Sequence, residues 1–163
     1  LQFQAFESVI LGYENNKKLG NGFFTNPDTI QAYCSQLQES FDVRPQNPRL
    51  YSSQFSGGNQ QKLVLSREIS STPKILLVGQ PTRGVDIGAI EFIHKTLIGM
   101  RNNGCAILLV SVELEEILSL SDRILVMNSG EIMGIVPKIT ATKAMLGKMM
   151  AGIPIEEAKE DKK

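Results

Sequence analysis

The 163-residue chain carries 17 lysines and arginines against 17 acidic residues, a formal net charge of zero, so no bulk attraction to nucleic acid or to an anionic membrane surface is built into it. Its hydrophobic share of 42% and charged share of 21% are those of an ordinary globular domain with enough length for one core. No apolar run approaches the roughly 20 residues that span a bilayer, no basic-then-apolar leader opens the chain, and Cys34 and Cys105 are too few for a disulfide framework. Any membrane association must therefore come through a partner.

The chain opens on Leu1 rather than Met, as a piece of a longer protein would. Residues 1–54 have irregular apolar spacing and a polar loop from Glu14 to Gly22. Asn26-Pro27 is an N-cap followed by Pro at the first helical position. It predicts a helix to about Phe41, with Ile30, Tyr33, Cys34, Leu37 and Phe41 on one face. Pro45 and Pro48 then interrupt the chain. This first region, 1–54, reads as a small helical subdomain.

From 55 to 163 the pattern becomes helices alternating with short apolar runs. A helix continues through Lys62 to about Ser70, and Ile75–Val78 reads as a strand. Gly88 to about Asn102 is helical and closed by Gly104. Ile107–Val110 is a second buried strand and Glu113–Leu120 a further helix. Ile124–Met127 and Ile132–Val136 flank Asn128-Ser129-Gly130-Glu131, a hairpin signal. A last helix runs from Thr140 to about Met150, and the mixed-charge tail Glu156–Lys163 reads as solvated. Continuous Ile/Leu/Val strands between helices predict an α/β fold whose mostly parallel sheet is covered on both faces. His94 reads as a surface or interface side chain, Met145, Met149 and Met150 as core filler, and the cysteines as reduced thiols.

The stretch Phe55-Ser56-Gly57-Gly58-Asn59-Gln60-Gln61-Lys62 places a capping serine and two glycines at the start of a helix. Bare N–H groups and the positive helix end there suit phosphate oxygens, and glycine lets a triphosphate approach the amides. Asn59 adds an amide donor for a ribose or phosphate, and Gln60 continues the motif. Downstream, Ile75–Val78 runs into Gly79-Gln80-Pro81-Thr82-Arg83-Gly84-Val85-Asp86.

Together these stretches resemble the signature, Walker B strand and D-loop of the ATP-binding cassette of ABC transporters. The resemblance covers nearly the whole chain but only the later part of a cassette: helical subdomain plus a partial RecA-like core. A Walker A loop is absent, since Gly147-Lys148 sits in a predicted helix and is followed by Met149. The family's signature faces ATP held by the opposing cassette. This implies that Ser56, Gly57, Gly58, Asn59 and Gln60 bind ATP in trans, and that Asp86 is the D-loop residue at the cassette interface. Asp86 also suits the cap of the helix that follows it.

Three departures from the family pattern concern the chain's own site. Gly79 stands where the resemblance implies an Asp that orients Mg2+, although it also reads simply as a relief of packing. Gln80 stands where a catalytic Glu is expected, and an amide cannot take a proton at neutral pH. Val112, in Ser111-Val112-Glu113, occupies the place of a switch His. Lost general-base help alone costs on the order of 10²–10⁴ in rate. No catalytic or metal-holding residue is therefore expected in cis.

Phe41-Asp42-Val43-Arg44-Pro45, the signature and Gln80–Ala89 look most like the second cassette of simple-sugar and nucleoside importers, whose ATP-binding subunits carry two cassettes in one polypeptide. The resemblance implies ATP and Mg2+ held mainly by the N-terminal cassette, membrane-spanning permease subunits as direct partners, and a periplasmic or lipoprotein solute-binding protein as an indirect one. It also implies a cytoplasmic location on the inner face of the membrane, and no nucleic acid. The competing readings are a translation or DNA-repair cassette, which would keep Asp-Glu at the strand end, and a non-catalytic scaffold. Lacking the Walker A half, the chain is expected to expose apolar sheet surface and to self-associate or be marginally stable.

Overall fold

In the computed structural model, which describes residues 2–14, 19 and 26–158, Asn26 accepts hydrogen bonds from the N–H groups of Asp28 and Thr29. These bonds start helix α2, Pro27–Ser40, after a short helix α1, Ala5–Ser8. Most of the Glu14–Gly22 loop and the end of the charged tail lie outside the described residues. The predicted face is the buried one: Ile30, Cys34 and Leu37 are enclosed, with Tyr33 and Phe41 packed against them. Sequence patterning gave no sign of Gln38, which is fully buried and whose side chain finds no hydrogen-bond partner among the described residues.

The chain divides into two compact units, the first formed by Leu1–Leu76 and Pro81–Ala106. Its core joins Ala5, Val9, Cys34, Leu37, Val43, Phe55 and Leu63. The last two belong to the lead-in and body of helix α3, Gly57–Ser70. Polar ties brace α3 from outside that core. Tyr33 donates to Ser70 Oγ at 2.7 Å, Tyr13 to Glu68 at 3.0 Å, and Arg67 to the Ser8 carbonyl at 3.1 Å. Helix α4, Ile87–Asn102, packs on α3 with Ala89, Ile93 and Leu97 buried, and Gly104 follows it in the left-handed region as the sequence predicts.

The second unit comprises Leu77–Gln80 and Ile107–Lys163. Strands β1 (Ile75–Gly79) and β2 (Ala106–Val110), most of whose residues it contains, form a two-stranded sheet. After α5 (Leu114–Leu120), strands β3 (Arg123–Asn128) and β4 (Glu131–Pro137) form the predicted hairpin, with Ser129 and Gly130 both at positive φ in its turn. Helix α6, Lys143–Met150, is capped by Thr142 and starts later than predicted because Lys138–Thr140 form a separate 3-10 turn. Met145 and Met149 enter a core with Ile124, Val126, Val136 and Leu146, whereas Met150 is exposed. Gly134 leaves room for helix α7, Ile155–Ala158: a Cβ there would lie 2.7 Å from that of Ile155.

One expectation needs correction. The sheet is not covered on both faces: Leu76 and Val78 are buried, but Leu77 is 73% exposed, as are over half of Leu108 and Val110. Apolar residues on both faces of a strand require two covers, and the described residues supply one. Glu115 and Glu116 both lie in the first turn of α5; Glu116 is buried, while Glu115 pairs with Lys143 at the surface.

Candidate functional site

Ser56 has extended backbone angles and accepts from the N–H of Asn59 at 3.4 Å, the geometry of an N-cap. Gly57 and Gly58 are the first residues of α3, so their N–H groups have no intrahelical carbonyl to bond. Ser56 and Gly57 are exposed and Gly58 is buried. The structure therefore presents a hydroxyl, bare amides and a positive helix end on one surface spot.

The glycines answer to packing as well. A Cβ on Gly57 would lie 3.0 Å from the Gly84 carbonyl oxygen, and one on Gly58 would lie 2.9 Å from the Cβ of Ala89. Asn59 is engaged at both ends of its amide: Oδ1 accepts from the N–H of Arg44 at 2.7 Å, and Nδ2 donates to Ser56 Oγ at 2.9 Å. Gln60 donates to the Phe55 carbonyl at 2.9 Å. The sequence suggests Asn59 as a donor to a ribose or phosphate, and one of its two amide hydrogens is given to Ser56.

Asp86 caps α4 by accepting from Ala89 N–H at 2.9 Å. With Gly58, Asn59, Lys62, Asp42 and Phe92 it borders a cleft of about 350 Å³. Lys62 was not read as a site residue, yet it fastens this corner. Its ammonium donates to the Asp42 carbonyl at 3.0 Å, reaches the Asp42 carboxylate at 3.4 Å and lies 4.8 Å above the Phe92 ring. Hydrogen bonds from Arg44 and then Lys62 hold the Asp42 carboxyl below its usual range. The hydrophobic spacing of the sequence contains no trace of this cluster.

Ser56 to Gln60 and Asp86 thus meet in the first unit. Gly79, Gln80 and Val112 belong to the second. Gln80 has φ of 51° and donates its N–H to the Val110 carbonyl at 2.8 Å, at the end of the β1–β2 pair. Val112 is 63% exposed. Among the described residues, a Cβ at Gly79 would meet nothing within 4 Å. None of these positions carries a carboxylate or imidazole that could take a proton at neutral pH, and among the described residues no group of three or more His, Cys, Asp or Glu is placed to hold a metal ion.

No family model matches the sequence. The chain is similar in fold to a bacterial ABC transporter cassette solved as a dimer, with a TM-score of 0.66 at 20% identity over 83% of this chain and 57% of that one. The fold defines the class: part of an ATP-binding cassette of the ABC type.

The chain is a homologue of import ATP-binding proteins of the nucleoside and sugar type. It is 44% identical over 157 residues to the nucleoside import ATP-binding protein NupA of Lactococcus lactis, covering 96% of this chain and 31% of that protein. It is 49% identical to the guanosine import ATP-binding protein NupO of Bacillus subtilis, over 97% of this chain and 31% of that protein. It is also 40% identical to the glucose import ATP-binding protein TsgD13 of Haloferax volcanii, over 83% and 25% respectively. The chain spans between a quarter and a third of the length of these relatives. Among the described residues, no helix is long and apolar enough to cross a membrane.

Proposed function

We propose that this chain is the second-cassette half of the ATP-binding subunit of a nucleoside or simple-sugar importer, and that it completes in trans an ATP site whose chemistry resides in the first cassette. The observation that carries this reading is the exposed, capped start of α3 in a chain whose β1 strand ends in Gly79-Gln80, without a carboxylate. The residues at α3 suit the terminal phosphate of ATP: Ser56 offers a hydroxyl, Gly57 an accessible amide, and the helix end a positive field. Bound Mg-ATP would supply the phosphoanhydride whose hydrolysis drives transport. Ser56 and Gly57 orient the terminal phosphate and offset charge as it develops. Gly58 and Asn59 support them, and Asp86 combines the α4 cap with a place at the cassette interface.

In this reading residues 1–54 pass closure of the signature to the permease subunits, on the cytoplasmic face of the membrane. The solute-binding protein acts through the permease, and the chain's own site is idle. A test of the idle site is the ATPase rate of the complete importer carrying Gln80→Asn, which tolerates positive φ, or Val112→Ala. Rates should stay within about twofold, whereas removing a working general base costs on the order of 10² or more. A loss of that size would overturn the reading.

A second reading, a non-catalytic scaffold, is favoured by one observation: packing against Gly84 and Ala89 accounts for Gly57 and Gly58 without any nucleotide. Ser56 separates the two by test: a scaffold needs its oxygen only as the α3 cap, whereas the trans site also needs its proton for a phosphate oxygen.

A further inference from the structure

We propose that Asn59 is a positioning residue that ties the orientation of the Ser56 hydroxyl to the bend at Asp42–Arg44; this rests on the trans-site reading above. The polarity of the relay is fixed by chemistry. The backbone N–H of Arg44 can only donate, so the atom of Asn59 facing it at 2.7 Å is the amide oxygen. The amide nitrogen is then turned to Ser56 Oγ at 2.9 Å. Ser56 Oγ accepts a second N–H, from the Asn59 backbone at 3.4 Å. With both lone pairs taken, its one proton faces away from the helix, where a phosphate oxygen would accept it. Asn59 thus acts through Ser56 and need not touch the nucleotide.

The other end of the relay is held as firmly. Asp42 has φ of 48°, and its carbonyl accepts from Lys62, three residues beyond Asn59 and on the same side of α3. Asn59 and Lys62 therefore grip one bend, which directly follows α2, at two points a turn apart. Drawing that bend away from α3 frees the Asn59 amide to rotate and its oxygen to accept the Ser56 proton. The outward donor is then lost. The state of the helical region is in this way read out as the presence or absence of one hydrogen-bond donor.

The test is a double-mutant cycle on steady-state ATPase of the complete importer, with Ser56→Ala, Asn59→Ala and the pair in this half. Ser56→Ala should lower kcat on the order of 10²-fold, as loss of one preorganised donor does. Asn59→Ala should lower it about 10-fold, the size of a supporting-partner loss, with KM for ATP within about twofold. In the Ser56→Ala background, Asn59→Ala should cost nothing further. Losses that multiply would show Asn59 acting on the nucleotide itself or through the fold, and would overturn the relay while leaving the trans site standing. Wild-type activity of Ser56→Ala would overturn both.

Discussion

Gly58 of α3 and Ala89 of α4 lie so close that a Cβ on the glycine would stand 2.9 Å from the alanine's own. Neither atom can rotate away, so one helix must shift. Gly58→Ala should destabilise the chain by about 1–2 kcal/mol, overpacking outweighing the better helix propensity of alanine. Thermal melting checks this, and Ala89→Gly in the same chain should restore most of the loss. Activity lost on substituting Gly58 therefore reports packing before it reports nucleotide contact.

Lys62 joins the end of α2 to both α3 and α4 through the Asp42 carbonyl and the Phe92 ring. Lys62→Met keeps the aliphatic stem but loses both contacts, and should cost about 1–2 kcal/mol in chemical denaturation. An unchanged midpoint would show that the clamp is ornamental.

Because Arg44 and Lys62 hold the Asp42 carboxyl below its ordinary value of 3.8, its contribution is present above that pH. It is lost as pH falls through the lowered folded value, where the carboxylate gains a proton. Wild type should therefore lose melting temperature more steeply in acid than Asp42→Asn, by a small margin that added salt shrinks. Parallel acid profiles for the two proteins would contradict this.

The caps at Asn26, Ser56 and Asp86 and the Ser129-Gly130 turn were legible in the sequence because each depends on bonds between residues a few positions apart. The features that escaped join distant positions. Asn59 meets Arg44 15 residues away, Lys62 meets Asp42 20 away, and Gly58 meets Ala89. Buried Gln38 and Glu116 break the rule that polar means exposed, and a periodicity argument has no means of seeing them. The residues of the candidate site were thus visible in order, but which of them face outward was not.

Cys34 is fully enclosed in the first core, and burial pushes its thiol up to about 12. At pH 8 about one molecule in 10⁴ would carry the thiolate. Alkylation of native Cys34 should therefore be at least on the order of 10³ slower than in denaturant, with a rate that follows unfolding. Prompt labelling would contradict the packing of α2.

Leu77, Leu108 and Val110 leave an apolar sheet surface exposed in this 163-residue chain. Sedimentation should show self-association that weakens with Leu77→Lys or Leu108→Lys. A wild-type chain that stays monomeric at high concentration would show that this surface does not drive association.

The most direct measurement is ATPase activity of the complete importer with Ser56→Asp in this half, alongside its melting temperature. Aspartate caps a helix as well as serine and suits the positive end of α3, so stability should hold or rise. It also puts a carboxylate where the terminal phosphate is proposed to sit, and activity should fall on the order of 10²-fold or more. Wild-type turnover in a stably folded Ser56→Asp importer would contradict the account and leave the scaffold reading in its place.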